Sequence, residues 1–222
     1  MLLLSFATWP RPLFAVLITD LSALPEPQKL IDFSQFHSEY YHTTGPVDIG
    51  GLINETVTAS SPTSSLSLWN GAYGLGGNGN WALYTSMHGY IATDYGVNQS
   101  VIIDFKDGPI AGFVAFMNYQ TRSQSVWLRA YDSQGALLEE YDLLELAPIS
   151  TPGAANDGAW RGILSQQSDI AEIEIGGTNG FVLDELTFTS NVPEPSLVYF
   201  FGIGLMVLLL MDKGAKPPRH FL

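Results

Sequence analysis

The string Gly74-Leu75-Gly76-Gly77-Asn78-Gly79 satisfies the G-x-G-x-x-G spacing of a dinucleotide loop. That chemistry needs the string between a strand and a helix, so that a pyrophosphate meets a helix N-terminus. Here Asn70-Gly71 precedes it and the strand-like Trp81-Ala82-Leu83-Tyr84 follows, so it reads as a loop without a nucleotide. Of the histidines His37, His42, His88 and His220, only the first two are near one another. Their spacing sets them on opposite sides of a strand, the wrong arrangement for a shared metal. The chain has no cysteine, which removes thiol catalysis, disulfides and thiolate metal sites. No serine stands in a G-x-S-x-G elbow. A glycosidase needs two carboxylates across a cleft, one with a raised pKa. The adjacent Glu139 and Glu140 point to opposite faces of a strand and do not supply that geometry.

The aromatic residues Trp69, Tyr73, Trp81 and Tyr84 flank the glycine-rich loop and form the best candidate for glycan binding. Sugar rings dock on aromatic faces, and Asn70, Asn78 and Asn80 could complete the hydrogen bonds. Strand aromatics also fill sandwich cores, because half the positions of a strand face inward. Both readings of these four residues stay open.

The elements that would carry such residues are strands. Hydrophobic residues make up 46% of the 222, against 14% charged, enough to bury a core. Nine Lys and Arg against 22 Asp and Glu leave a net charge of −13, which disfavours binding to a nucleic-acid backbone. Strand-like runs recur at Leu30 to Ser34, Ile53 to Thr58, Trp81 to Thr85, Ser100 to Phe105, Ala111 to Tyr119, Ser125 to Tyr131, Leu137 to Leu146, Trp160 to Leu164, Ile170 to Ile175 and Phe181 to Thr189. Asp132-Ser133-Gln134-Gly135 is a hairpin turn in which Gly135 can take a positive φ. Only Ala136 to Leu146 also fits a helix. The pattern predicts an all-β sandwich or barrel over residues 24–190, a segment with five cations against 19 carboxylates.

Both ends differ from this body. Residues 1–23 read as an imperfect signal peptide: Arg11 precedes the apolar Leu13 to Ile18, and Leu21-Ser22-Ala23 offers a cleavage site, while Pro10, Pro12 and Asp20 interrupt the pattern. At the other end, Leu197 to Met211 carries no charge and predicts a short transmembrane helix. The tail at 212–222 holds Lys213, Lys216 and Arg219, which places it in the cytoplasm and the acidic body outside. Before the helix stands Val192-Pro193-Glu194-Pro195-Ser196. This motif, a helix containing Gly202-Ile203-Gly204-Leu205 and a basic tail in that order resemble the PEP-CTERM sorting signal of Gram-negative bacteria over residues 192 to about 219, which marks 191–222 as a sorting segment. The resemblance implies export, transient anchoring in the inner membrane and processing by an exosortase. The tail departs from the family in being spread out and containing lysine, where the family has a tight arginine cluster.

Trp160 to Ile163, Ile170 to Ile175 and Phe181 to Phe188 resemble the closing strands of galactose-binding-like jelly rolls, and Ile31-Asp32-Phe33 their opening strand. That resemblance implies an antiparallel jelly-roll sandwich whose first strand lies beside its last. Such pairing would bring Asp32 near Asp184 or Glu185, where the close carboxylates would call for calcium. The expectation is an exported, non-enzymatic protein of the cell surface or extracellular matrix. Its alternatives are a carbohydrate-binding module for exopolysaccharide and a secreted glycan hydrolase.

Overall fold

The computed structural model describes residues 15–36, 41–62, 66–70, 89–93, 99–119, 123–149, 158–178 and 180–190. The chain divides into Met1–Asn191 and Val192–Leu222, and every described residue belongs to the first unit. In chain order its strands are β1 (Ala15–Ile18), β2 (Gln28–Ile31), β3 (Tyr41–Thr43), β4 (Val47–Asp48), β5 (Val57–Ser60), β6 (Leu66–Asn70), β7 (Gly89–Thr93), β8 (Gln99–Phe105), β9 (Ile110–Tyr119), β10 (Val126–Tyr131), β11 (Leu137–Asp142), β12 (Ala159–Ser165), β13 (Glu172–Gly177) and β14 (Phe181–Ser190). One helical turn, α1 (Leu143–Leu146), follows β11. Two antiparallel sheets result, as the strand pattern predicts. The first runs β1-β12-β9-β14-β7-β6-β3, with β2 also on β14, and the second runs β11-β10-β13-β8-β5-β4.

The two sheets follow different sequence rules. In the second, Val126, Leu128 and Ala130 of β10, Ile173 and Ile175 of β13 and Val101, Ile103 and Phe105 of β8 enter the core, and their neighbours face outward. One face in water and one in the core gives alternation. In the first sheet, β9 and β14 are buried on both faces, so IAGFVAFMNY reads as a nearly continuous apolar run. The outer face of β9 is covered in part by the N-terminal segment: Ile18 and Leu24 pack on Val114, with Leu21, Trp160 and Leu164 around them. Gly162 of β12 is required by the close approach of β9, because a Cβ there would run into the Phe113 carbonyl oxygen.

β1 lies within the segment expected as a leader. Ala15 to Ile18 pair with Ser165 to Gly162 of β12, and the Tyr141 hydroxyl donates to the Ala15 carbonyl at 2.9 Å. Asp20, which interrupts the signal pattern, has a local role: its Oδ1 accepts from the Ser22 amide at 2.8 Å and caps the 3-10 turn Leu21–Ala23. Residues 1–14 and the segment 191–222, with its sorting motif, helix and tail, lie outside the described residues. Among the described residues no helix is long and apolar enough to cross a membrane.

Several strand boundaries move for local reasons. The run from Leu137 to Leu146 stops as a strand at Asp142, whose Oδ1 accepts from the Leu144 and Glu145 amides and starts α1. The run from Leu30 ends at Ile31, because Asp32 Oδ1 turns the chain by accepting from Ser34 N and Oγ at 3.0 and 2.7 Å. Ile53 to Thr58 begins as the 3-10 turn Gly51–Ile53, with Asn54 at φ 54°, and becomes a strand only at Val57. The hairpin turn at Asp132 forms with Gly135 at φ 77°.

Candidate functional site

Where the two sheets part at one end of the sandwich, they leave a cleft of about 480 Å³. Its inner wall is apolar: Phe105 at the end of β8 and Phe188 near the end of β14 meet at 5.1 Å between ring centroids. Its rim is polar, with Lys29 from β2, Glu55 and Thr56 before β5, Asp107 from the β8–β9 turn and Ser190 at the end of β14. Lys29 and Glu55 form an ion pair. Asp107 Oδ2 accepts from the Thr56 amide at 2.6 Å, and this bond holds the Asp107 carboxyl below the usual carboxylate range. The lining joins donors, acceptors and an apolar patch within one cavity, the composition of a small-molecule or sugar subsite. Within it the Thr56 bond favours the ionised form of Asp107, and Glu55 is engaged by Lys29.

The outward face of the second sheet carries a different arrangement. Trp127, Arg129 and Tyr131 occupy successive outward positions of β10. Register sets Trp127 opposite Gly176, Arg129 opposite Glu174 and Tyr131 opposite Glu172. Arg129 Nε lies 2.6 Å from Glu140 Oε2, its Nη1 lies 3.2 Å from Glu174 Oε2, and the Tyr131 hydroxyl donates to that same oxygen at 2.9 Å. Across β13, Glu172 stands opposite Asp104, whose Oδ1 is 2.9 Å from Lys106 Nζ. Burial, then the carboxylates of Asp104 and Glu174, push the Glu172 pKa up.

The residues singled out from the sequence are placed unevenly. Trp69 lies in β6 with its backbone paired to Tyr90, while Tyr73, Trp81, Tyr84 and the glycine-rich loop fall outside the described residues, as does the run Trp81 to Thr85. The expected pairing of opening and closing strands is present: Ile31 of β2 stands opposite Leu186 of β14. Asp184 is fully buried, and Glu185 takes φ 47° at a bulge where β14 changes neighbour from β7 to β2. Asp32, expected beside Asp184 or Glu185 as a calcium site, accepts from Ser34 N and Oγ, and among the described residues no three acidic or histidine side chains group as a metal would require. Neither the cleft nor the β10 strip carries a sequence motif. The one trace of the strip is the alternation Val126-Trp127-Leu128-Arg129-Ala130-Tyr131, which places an aromatic, a cation and an aromatic on one face.

No family model matches the chain, and no curated protein matches it. Among solved structures, the chain is similar to a DUF4465 family protein from Bacteroides caccae at 12% identity and a TM-score of 0.39, covering 80% of this chain and 100% of that one. It is similar at 15% identity and a TM-score of 0.38 to the tandem CBM51 modules of a family 98 glycoside hydrolase from Streptococcus pneumoniae, covering 73% of this chain and 47% of that one. The adhesin domain of Lys-gingipain from Porphyromonas gingivalis gives 14% identity, a TM-score of 0.38 and coverages of 75% and 99%. These likenesses are distant, and the assignment of an antiparallel β-sandwich rests on the two sheets of the molecule itself.

Proposed function

We propose that the chain is an exported surface or matrix protein, a jelly-roll sandwich delivered under a PEP-CTERM sorting signal, and that it acts by binding. The observation that carries this reading is the order of elements at its C-terminal side. The core strand β14 ends at Ser190, and Val192-Pro193-Glu194-Pro195-Ser196 follows at once, then fifteen uncharged residues and a basic tail. In this reading Leu197 to Met211 holds the precursor in the inner membrane until an exosortase releases the body. A reporter fused after Ser190 is expected to be active only outside the cytoplasm, and one fused after Leu222 only inside it. Equal cytoplasmic activity at both positions overturns the reading.

The end cleft favours polysaccharide as the bound class. A sugar presents hydroxyls to Lys29, Glu55, Asp107 and Ser190, and an apolar C–H face to the phenylalanine wall. The same cleft speaks for binding over hydrolysis, because glycoside cleavage needs a carboxylic acid that holds its proton, and Asp107 is shifted the opposite way.

A further inference from the structure

The segment Ala15 to Ala23 fits two incompatible descriptions, the end of a cleaved export leader and the edge of the sandwich. In the fold, Ala15 and Leu17 of β1 pack on the main core, while Ile18 is buried on the outer face beside Leu24 and Val114. Leu21 packs on that same outer group. The Ala23 amide donates to the Asp20 carbonyl at 3.2 Å and the Leu24 amide to the Leu21 carbonyl at 3.1 Å, which closes the turn. Just past it, Gln28 Nε2 donates to the Leu24 carbonyl at 2.8 Å and Thr189 Oγ1 to the Pro25 carbonyl at 2.7 Å, tying the backbone to β2 and β14. A cut between Ala23 and Leu24 would strip β1 from the edge of β12 and take Ile18 and Leu21 away from Val114. It would also create an α-ammonium at Leu24, a residue only 3% exposed, and burying that charge is costly.

The residues that depart from a leader pattern are the ones the fold uses. A signal peptidase reads small residues in an A-x-A-like arrangement, and the first position of Leu21-Ser22-Ala23 is instead a leucine that packs on the outer group. Asp20 sets a charge next to the same site, and its carboxylate caps the turn. The apolar stretch Leu13 to Ile18 is shorter than the roughly 7–15 residues of a leader's apolar region, and its second half is β1. We propose that export leaves the Ala23–Leu24 bond intact and that the mature protein keeps Ala15 to Ala23 as its edge strand and turn. The inference rests on the reading of the chain as exported, and it places N-terminal processing ahead of Ala15.

The test expresses the full chain in an exosortase-bearing host, separates cytoplasm from exported material, recovers the protein through a tag in the sandwich and maps its first residue by mass spectrometry. Exported protein is expected to begin at Ala15 or ahead of it. A first residue beyond Ala15, Leu24 above all, overturns the inference and leaves export standing. Wild-type protein found only in the cytoplasm overturns both readings. Two further full-length chains carry a cleavable heterologous leader joined directly to Ala15 or directly to Leu24. The first is expected to melt with the wild-type exported protein and the second lower by roughly 5 °C or more, since it lacks β1 and the buried Ile18. Equal melting of the two removes the structural ground of the inference and overturns it.

Discussion

Arg161 tests how the two sheets are held together. It sits on β12, is 8% exposed, and no carboxylate among the described residues pairs with it. Its Nε donates to the Ala147 carbonyl at 2.8 Å, Nη2 to Pro148 at 3.0 Å and Nη1 to Trp160 at 2.6 Å. The side chain thereby fixes the segment that crosses from β11 of one sheet to β12 of the other. The Ile149 amide, donating to the Tyr119 hydroxyl at 2.7 Å, closes the same segment. Arg161→Met keeps much of the volume and removes three charge-assisted bonds, each contributing about 1.5–3 kcal/mol. Two offsets reduce that sum. Burial lowers the Arg161 pKa, the mark of a desolvation penalty that the variant no longer carries. The Trp160 and Pro148 carbonyls are only partly buried and can be hydrated, whereas the Ala147 bond is enclosed. A net loss of about 2–4 kcal/mol remains, a fall in melting temperature of roughly 5–15 °C for a domain of this size. Scanning calorimetry reads the fall, and hydrogen exchange at the Ile149 amide should show lost protection. Arg161→Lys should recover only part of it, since an ammonium cannot reproduce the guanidinium fork. A shift below about 2 °C with Ile149 still protected refutes the claim that this side chain joins the sheets.

Three further outcomes are expected. Because the folded pKa of Glu172 is raised, the native state keeps a proton that the unfolded chain has released, so stability falls as pH rises from the ordinary glutamate value through the raised one. Denaturant titrations across that window should show the fall in the wild type and not in Glu172→Gln, and identical curves contradict the assignment. Gly162→Ala drives a Cβ against the Phe113 carbonyl and Val114 Cα, backbone that cannot yield, and should cost more than about 4 kcal/mol; a variant melting like the wild type refutes the β9–β12 register. Removing residues 1–23 takes away β1 and the buried Ile18, so the shortened chain should melt lower and bind a hydrophobic dye at the uncovered Val114 and Trp160; an unchanged melt returns those residues to a leader without structural duty.

The second sheet was legible in the sequence because its residues alternate between a core and water, as at Ile173-Glu174-Ile175. β9 was legible as an apolar run, but the run does not say what covers its outer face. β1 lies in a stretch that also reads as an export signal, because a sheet edge packed on one side and a signal's apolar core draw on the same residues. The break at Asp142 was ambiguous for a related reason: ALLEEYDLLEL fits a strand and a helix, and a single capping carboxylate decides where one becomes the other. The cleft could not be read at all. Lys29, Glu55, Asp107 and Phe188 come from four separate segments, and only the pairing of β2 with β14 and of β5 with β8 unites them. The calcium expectation rested on the pairing of opening and closing strands, which is present, while the bond from Ser34 to Asp32 Oδ1 has no signal in the sequence.

The most direct measurement concerns the sorting signal. Glu194→Ala with Pro195→Ala alters the motif beyond the last core strand and leaves every residue of the sandwich unchanged. Expressed in an exosortase-bearing host, with a tag in the sandwich and another after Leu222, the wild type is expected to lose the second tag and reach the cell surface. The variant is expected to cross the inner membrane, keep both tags and accumulate there as precursor. A variant that sheds its C-terminal tag at the wild-type rate and reaches the surface contradicts the account.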